Sequence, residues 1–175
     1  MEITLLCKKD KDEPRGERHR KTILHLINKE PKRIRMMSMN FHDTELDGSR
    51  TLSKMLKRML VRGTIVNIIV GENPTKMDFE TVDFLQDLMN FGAKIYHHPR
   101  IHAKLFLSEG RNNEVDIIIT SANFTKGGFY NNFELGCYFS NMEVKYSKII
   151  DNFFKYILSL PSKKSLEEWD TIFSS

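Results

Sequence analysis

An imidazole, an ammonium, a hydroxyl, an amide and a carboxylate fall in one segment: His102 and Lys104, then Ser121 and Asn123, then Glu134. These groups suit phosphoryl transfer without a metal. A histidine nitrogen can attack phosphorus. Lysine, serine and asparagine can hold the non-bridging oxygens, on which charge gathers in the transition state. A carboxylate can hold a ring nitrogen of the histidine and fix its tautomer. Thr120 and Thr125 are candidates for a further contact, and Arg100, Arg111 and Lys126 flank the segment as candidates for substrate phosphates or as plain solvated charge. Phe124 and Phe129 could stack on bases or, as is more usual in such a loop, pack inward.

A His-x-Lys triplet alone carries little information, and the chain holds a second one. His19-Arg20-Lys21 is followed by Ser38-Met39-Asn40 at the offset that separates His102 from Ser121. Context distinguishes them. Around His19 stand Arg15, Glu17, Arg18 and Arg20, which predicts a solvent-facing helix start, and the position matching Glu134 is Thr51. His102 and Lys104 alternate with Ile101, Ala103 and Leu105, a strand pattern that puts both polar groups on one face. The polar turn 109–113 then returns the chain along a second strand, 115–120, to Ser121 and Asn123. The His102 set is therefore the expected site.

The elements that must position these residues follow from periodicity. Strands are expected at 3–7, 33–41, 64–71, 93–97, 101–107, 115–120 and 132–139, and helices from Glu17 to Glu30, from Asp47-Gly48-Ser49 to Gly63, at 78–91 and at 142–158. The last helix is expected to face the core with Ile149, Ile150, Phe153, Phe154, Ile157 and Leu158. The first half reads as alternating strand and helix, the pattern of an α/β sandwich. Residues 1–160 form the expected domain and 161–175 a polar tail, with Trp169 and Phe173 as its docking residues.

The 175 residues suffice for one domain with a real core, and a net charge of +4 is compatible with a polyanionic partner without requiring one. Cys7 and Cys137 give neither a disulfide framework nor a metal spacing. His97-His98 lack a partner pair at zinc spacing and are expected at the surface or in a turn, so neither metal nor cofactor is expected. No run suits a signal peptide or a membrane span, and the expected location is the cytoplasm.

Residues 100–136, with His102-x-Lys104, Ser121-x-Asn123 and Glu134, resemble the phospholipase D superfamily, closest to its single-motif bacterial nucleases and metal-independent restriction endonucleases. One departure is Glu109, where the family often carries Asp; it is expected at the surface and outside the chemistry. The resemblance implies an α/β fold, an α-β-α sandwich with a mixed central sheet and helices on both faces. It implies a metal-independent phosphodiesterase acting on nucleic acid, DNA in preference to RNA, through a phosphohistidine, with a second histidine protonating the leaving oxygen and then activating water. One good motif per chain implies a homodimer with a composite site on its two-fold axis. The alternatives are a phospholipid hydrolase or transferase of the same superfamily, an inactive nucleic-acid-binding module, and a domain working with a separate specificity or helicase domain.

Overall fold

The computed structural model describes residues 1–8, 14, 16–160 and 164–165. Its centre is a run of apolar strands: β1 (Glu2–Leu6), β2 (Arg33–Ser38), β5 (Ile65–Val70), β6 (Lys94–His97), β7 (Lys104–Glu109), β8 (Val115–Thr120) and β9 (Gly136–Ser140). With β10 (Lys164–Ser165) they form an eight-stranded sheet in the order β1-β9-β8-β7-β2-β5-β6-β10. β2, β5 and β6 run parallel; β7, β8, β9 and β1 continue antiparallel from β2. The sheet is thus mixed, as expected.

Helices cover both faces. α1 (Glu17–Asn28), α2 (Leu52–Val61) and α3 (Phe79–Asn90) bury Ile23, Ile27, Leu56, Met59, Phe84 and Leu88 against one face. On the other face, α4 (Val144–Ser159) packs Phe154 and Ile157 on Leu107, Ile117 and Met37. Asp78 starts α3 by accepting the Thr81 N–H at 2.7 Å.

Several boundaries differ from expectation. Asp47-Gly48-Ser49 does not start a helix: Gly48 has φ +52° in the turn of a small hairpin, β3 (Glu45–Asp47) with β4 (Arg50–Thr51), and α2 begins at Leu52 behind Thr51. β2 ends at Ser38, and Phe41 makes only an isolated bridge with Phe124. β7 begins at Lys104, leaving His102 in the approach to the strand. The strand expected at 132–139 starts at Gly136, after a π-helical turn, Gly127–Asn131. In α4, Ile149 and Phe153 are exposed, because they stand one turn apart on the side of the helix away from Ile150, Phe154 and Ile157. Of the tail, Lys164–Ser165 pair with β6, while Trp169 and Phe173 lie outside the described residues.

Candidate active site

The site forms where the parallel strands end. β7 runs antiparallel to β2, so the start of β7 lies at the carboxyl end of β2, the usual place for a ligand in an open sheet of this kind. Lys104 pairs with Thr120, and Thr120 with Gly136, so three strand ends meet in one row. The hairpin predicted from the sequence therefore brings His102, Lys104, Ser121 and Asn123 to one edge of the sheet.

His102 is exposed, and its Nδ1 lies 3.1 Å from Lys104 Nζ. Lys104 is only 7% exposed. Burial lowers its pKa, and the nearby Glu134 carboxylate opposes that shift by favouring the cation. Asn123 is half-buried; its Oδ1 accepts from Ser38 Oγ at 3.0 Å, which leaves the amide NH2 as its donor.

Glu134 sits differently from expectation. It accepts from Ser121 Oγ and from Asn132 Nδ2, the latter at 3.2 Å, whereas the ring nitrogen of His102 that has a partner meets Lys104. Glu134 precedes β9 on a loop, so its reach is set by Ser121, whose N–H donates to Leu135 O at 2.9 Å and whose Oγ accepts from Leu135 N–H at 3.1 Å. Ser121 thus ties the two loops together and presents a carboxylate-bound hydroxyl.

Of the remaining candidates, Thr120 is buried, with its hydroxyl engaged by His19 and by the Ala122 N–H. Thr125 Oγ1 accepts the Gly128 N–H and starts the π-helical turn. Arg100 is exposed in the loop leading to His102. Lys126 borders a cleft of about 710 Å³ whose other lining includes Asp43, Glu80, Asp83 and Asp87, an acidic setting unfavourable to phosphate. Arg111 lies in the β7–β8 turn, at the opposite end of these strands, so it does not flank the site. Glu109 is at that same far end, paired with Lys32 at 3.0 Å and Arg33 at 3.2 Å. Phe124 and Phe129 are fully buried, edge to face with centroids 5.7 Å apart, and so pack inward.

Three histidines correct the sequence reading. His97 and His98 are buried rather than exposed; His98 does form a turn, its Nδ1 accepting the Arg100 N–H. His19 is 1% exposed instead of solvent-facing, and its Nε2 lies 2.9 Å from Thr120 Oγ1. Burial pushes its pKa down to about 4, against a smaller opposing pull from Glu134. Arg20 is also buried, donating to Phe129 O with its guanidinium 3.8 Å from the Tyr130 ring centroid. A small cavity of about 140 Å³ lies between His19, Glu134, Asn132 and Cys7. Among the described residues, no group of three or more His, Cys, Asp or Glu side chains is placed to hold a metal ion.

No curated protein matches the chain. A family model described as the cardiolipin synthase, PLD-like domain matches residues 23–158. Among solved structures the chain is similar to Nuc, a phospholipase D family member from Salmonella typhimurium, with TM-score 0.71 at 20% identity, covering 94% of this chain and 98% of that one. It is also similar to NucT from Helicobacter pylori, with TM-score 0.67 at 14% identity over 94% and 98% of the two chains. The phosphatidylserine synthase of Haemophilus influenzae Rd KW20 gives TM-score 0.66 at 14% identity, with 94% of this chain and 40% of that one covered. These likenesses show the fold.

Proposed function

The chain belongs to the phospholipase D-like family, and from that premise we propose that it is a metal-independent phosphodiesterase of nucleic acid, DNA before RNA. It works through a phosphohistidine at a site shared by two copies. The observation that carries this reading is the exposed His102 ring held at 3.1 Å by the buried Lys104, beside the free amide donor of Asn123. The likeness of the fold to Nuc, a phospholipase D family member, and to NucT supports the reading.

In the first step one His102 Nε2 forms a bond to phosphorus as the P–O bond to the leaving group breaks. The leaving oxygen takes a proton from the second His102. That second ring then accepts a proton from water, the water oxygen bonds to phosphorus, and the P–N bond breaks. Lys104 and the Asn123 amide hold the equatorial oxygens throughout. The acid is a protonated ring, an imidazolium that gives its Nε2 proton to the leaving oxygen and is left neutral, ready to take a proton from water; the nucleophile is a neutral ring whose Nε2 carries no proton. The reaction needs one ring of each kind, which a pair of copies supplies.

The surface beside the site supports the pair. Leu5, Cys137 and Ile119 lie side by side across β1, β9 and β8, with Leu5 56% and Ile119 48% exposed. Ile3, Phe133 and Leu135 are exposed as well, so apolar surface runs up to Glu134. A second copy seated there buries it and completes the site.

Cleavage of plasmid and of labelled single-stranded DNA in excess EDTA tests the reading. Cleavage by the wild type that disappears in His102→Ala is the expected result. Cleavage that requires metal, or that survives His102→Ala, contradicts it. Hydrolysis of phosphatidylglycerol vesicles with both DNAs untouched would transfer the site to lipid.

A further inference from the structure

We propose that His19 is a positioning residue: its buried imidazole, joined to Thr120, holds the turn that presents Ser121 and Asn123 to the phosphodiester. The inference rests on the phosphodiesterase reading of the site. His19 lies in the first half of α1, and its ring stacks against Phe129 with centroids 6.4 Å apart and planes 26° apart. A side chain at Gly136 would place Cβ 2.8 Å from His19 Nε2, so β9 carries no side chain where the ring sits. Thr120 Oγ1, 2.9 Å from that nitrogen, accepts the Ala122 N–H at 3.0 Å. Ala122 lies between Ser121 and Asn123. A continuous set of contacts therefore runs from α1 through His19 and Thr120 to the backbone between two site residues.

A hydrophobic residue would fill this space without a polar group to satisfy, so the imidazole has a use beyond packing. Buried polar networks fix orientation, because each member has few alternative partners. Displacement of a catalytic group by about 1 Å can cost about a hundredfold in rate, so a turn that shifts by less has a measurable effect. Burial leaves the ring neutral at pH 7, so it can share a hydrogen with Thr120 in either direction without a buried charge.

Steady-state hydrolysis of bis(4-nitrophenyl) phosphate in excess EDTA, with thermal melts of each protein, tests the proposal. His19→Leu and Thr120→Val should each lower kcat about tenfold with KM held within about twofold, and the double variant should lose no more than either alone. His19→Gln, which keeps a hydrogen-bonding group, should recover kcat to within about threefold of wild type. Wild-type kcat in folded His19→Leu, or Gln no better than Leu, overturns the proposal. If His19→Leu does not fold, Thr120→Val decides, and wild-type kcat there overturns it. A wild type without turnover, or turnover that survives His102→Ala, removes the phosphodiesterase reading and this inference with it. His102-dependent turnover that is indifferent to His19→Leu removes the inference alone.

Discussion

Ser38 Oγ donates to Asn123 Oδ1 at 3.0 Å, joining the last residue of β2 to the turn after β8 across 85 positions of sequence. The contact decides which end of the Asn123 amide faces the site. The carbonyl is occupied, and the NH2 remains to donate to a phosphate oxygen. Ser38 Oγ also lies 3.4 Å from the Phe124 N–H, so one hydroxyl orients the side chain and steadies the backbone that follows it.

Ser38→Ala frees the amide to rotate. Loss of one neutral hydrogen bond is worth about 1 kcal/mol, so kcat is expected to fall about fivefold. Steady-state kinetics at saturating substrate measure this. An unchanged kcat would mean that Asn123 is oriented without Ser38.

Glu109 stands where the family often carries Asp, yet it lies at the far end of β7 from Lys104 and pairs with Lys32 and Arg33. Glu109→Ala should cost about 1 kcal/mol or less in urea unfolding, as for partly exposed ion pairs, and leave kcat unchanged. A collapse of kcat without loss of stability would place Glu109 in the chemistry.

The placement of the candidate residues was legible in the sequence because one hairpin brings them together. His102 and Lys104 stand two residues apart, and the β7–β8 turn sets the register that pairs Lys104 with Thr120. The long apolar runs behind β5 and β8 were equally plain. The supports of the site were not legible. His19 sits among Arg18, Arg20 and Lys21, a local pattern that signals solvent, and its partner Thr120 lies 101 positions away. Arg20 is buried by the Tyr130 ring and the Phe129 carbonyl, contacts that no helical period reveals. Asp47-Gly48 suits a tight turn as well as a helix start, and pairing with β4 decides for the turn. Ser38, at the matching offset from the second triplet, does join the site, through Asn123 rather than as a site of its own.

His19 makes stability depend on pH. Its folded pKa of about 4 lies below the ordinary histidine value of 6.5, so between these values the unfolded chain binds a proton that the native protein does not. Native stability from this group therefore falls as pH drops from about 6.5 to about 4, by about 3 kcal/mol in all. Glu134 is the charged group that opposes the shift. Urea unfolding of wild type and His19→Gln across this range should show the difference between them shifting in favour of the variant as pH falls. Parallel curves would mean that the ring is protonated in the native protein.

The apolar strip formed by Leu5 and Ile119 should hold the two copies together. Leu5→Glu and Ile119→Glu place charge on it and are expected to yield monomers by sedimentation velocity, with loss of diester hydrolysis. Fully active monomers would show that one copy suffices.

The central claim is that His102 carries the phosphoryl group. The direct measurement is a rapid alkaline quench of wild-type protein mixed with a phosphodiester radiolabelled at phosphorus, followed by peptide mapping. A transient label on His102 is expected, formed in excess EDTA and lost as product appears. Turnover with no protein-bound label, or label on another residue, would contradict it.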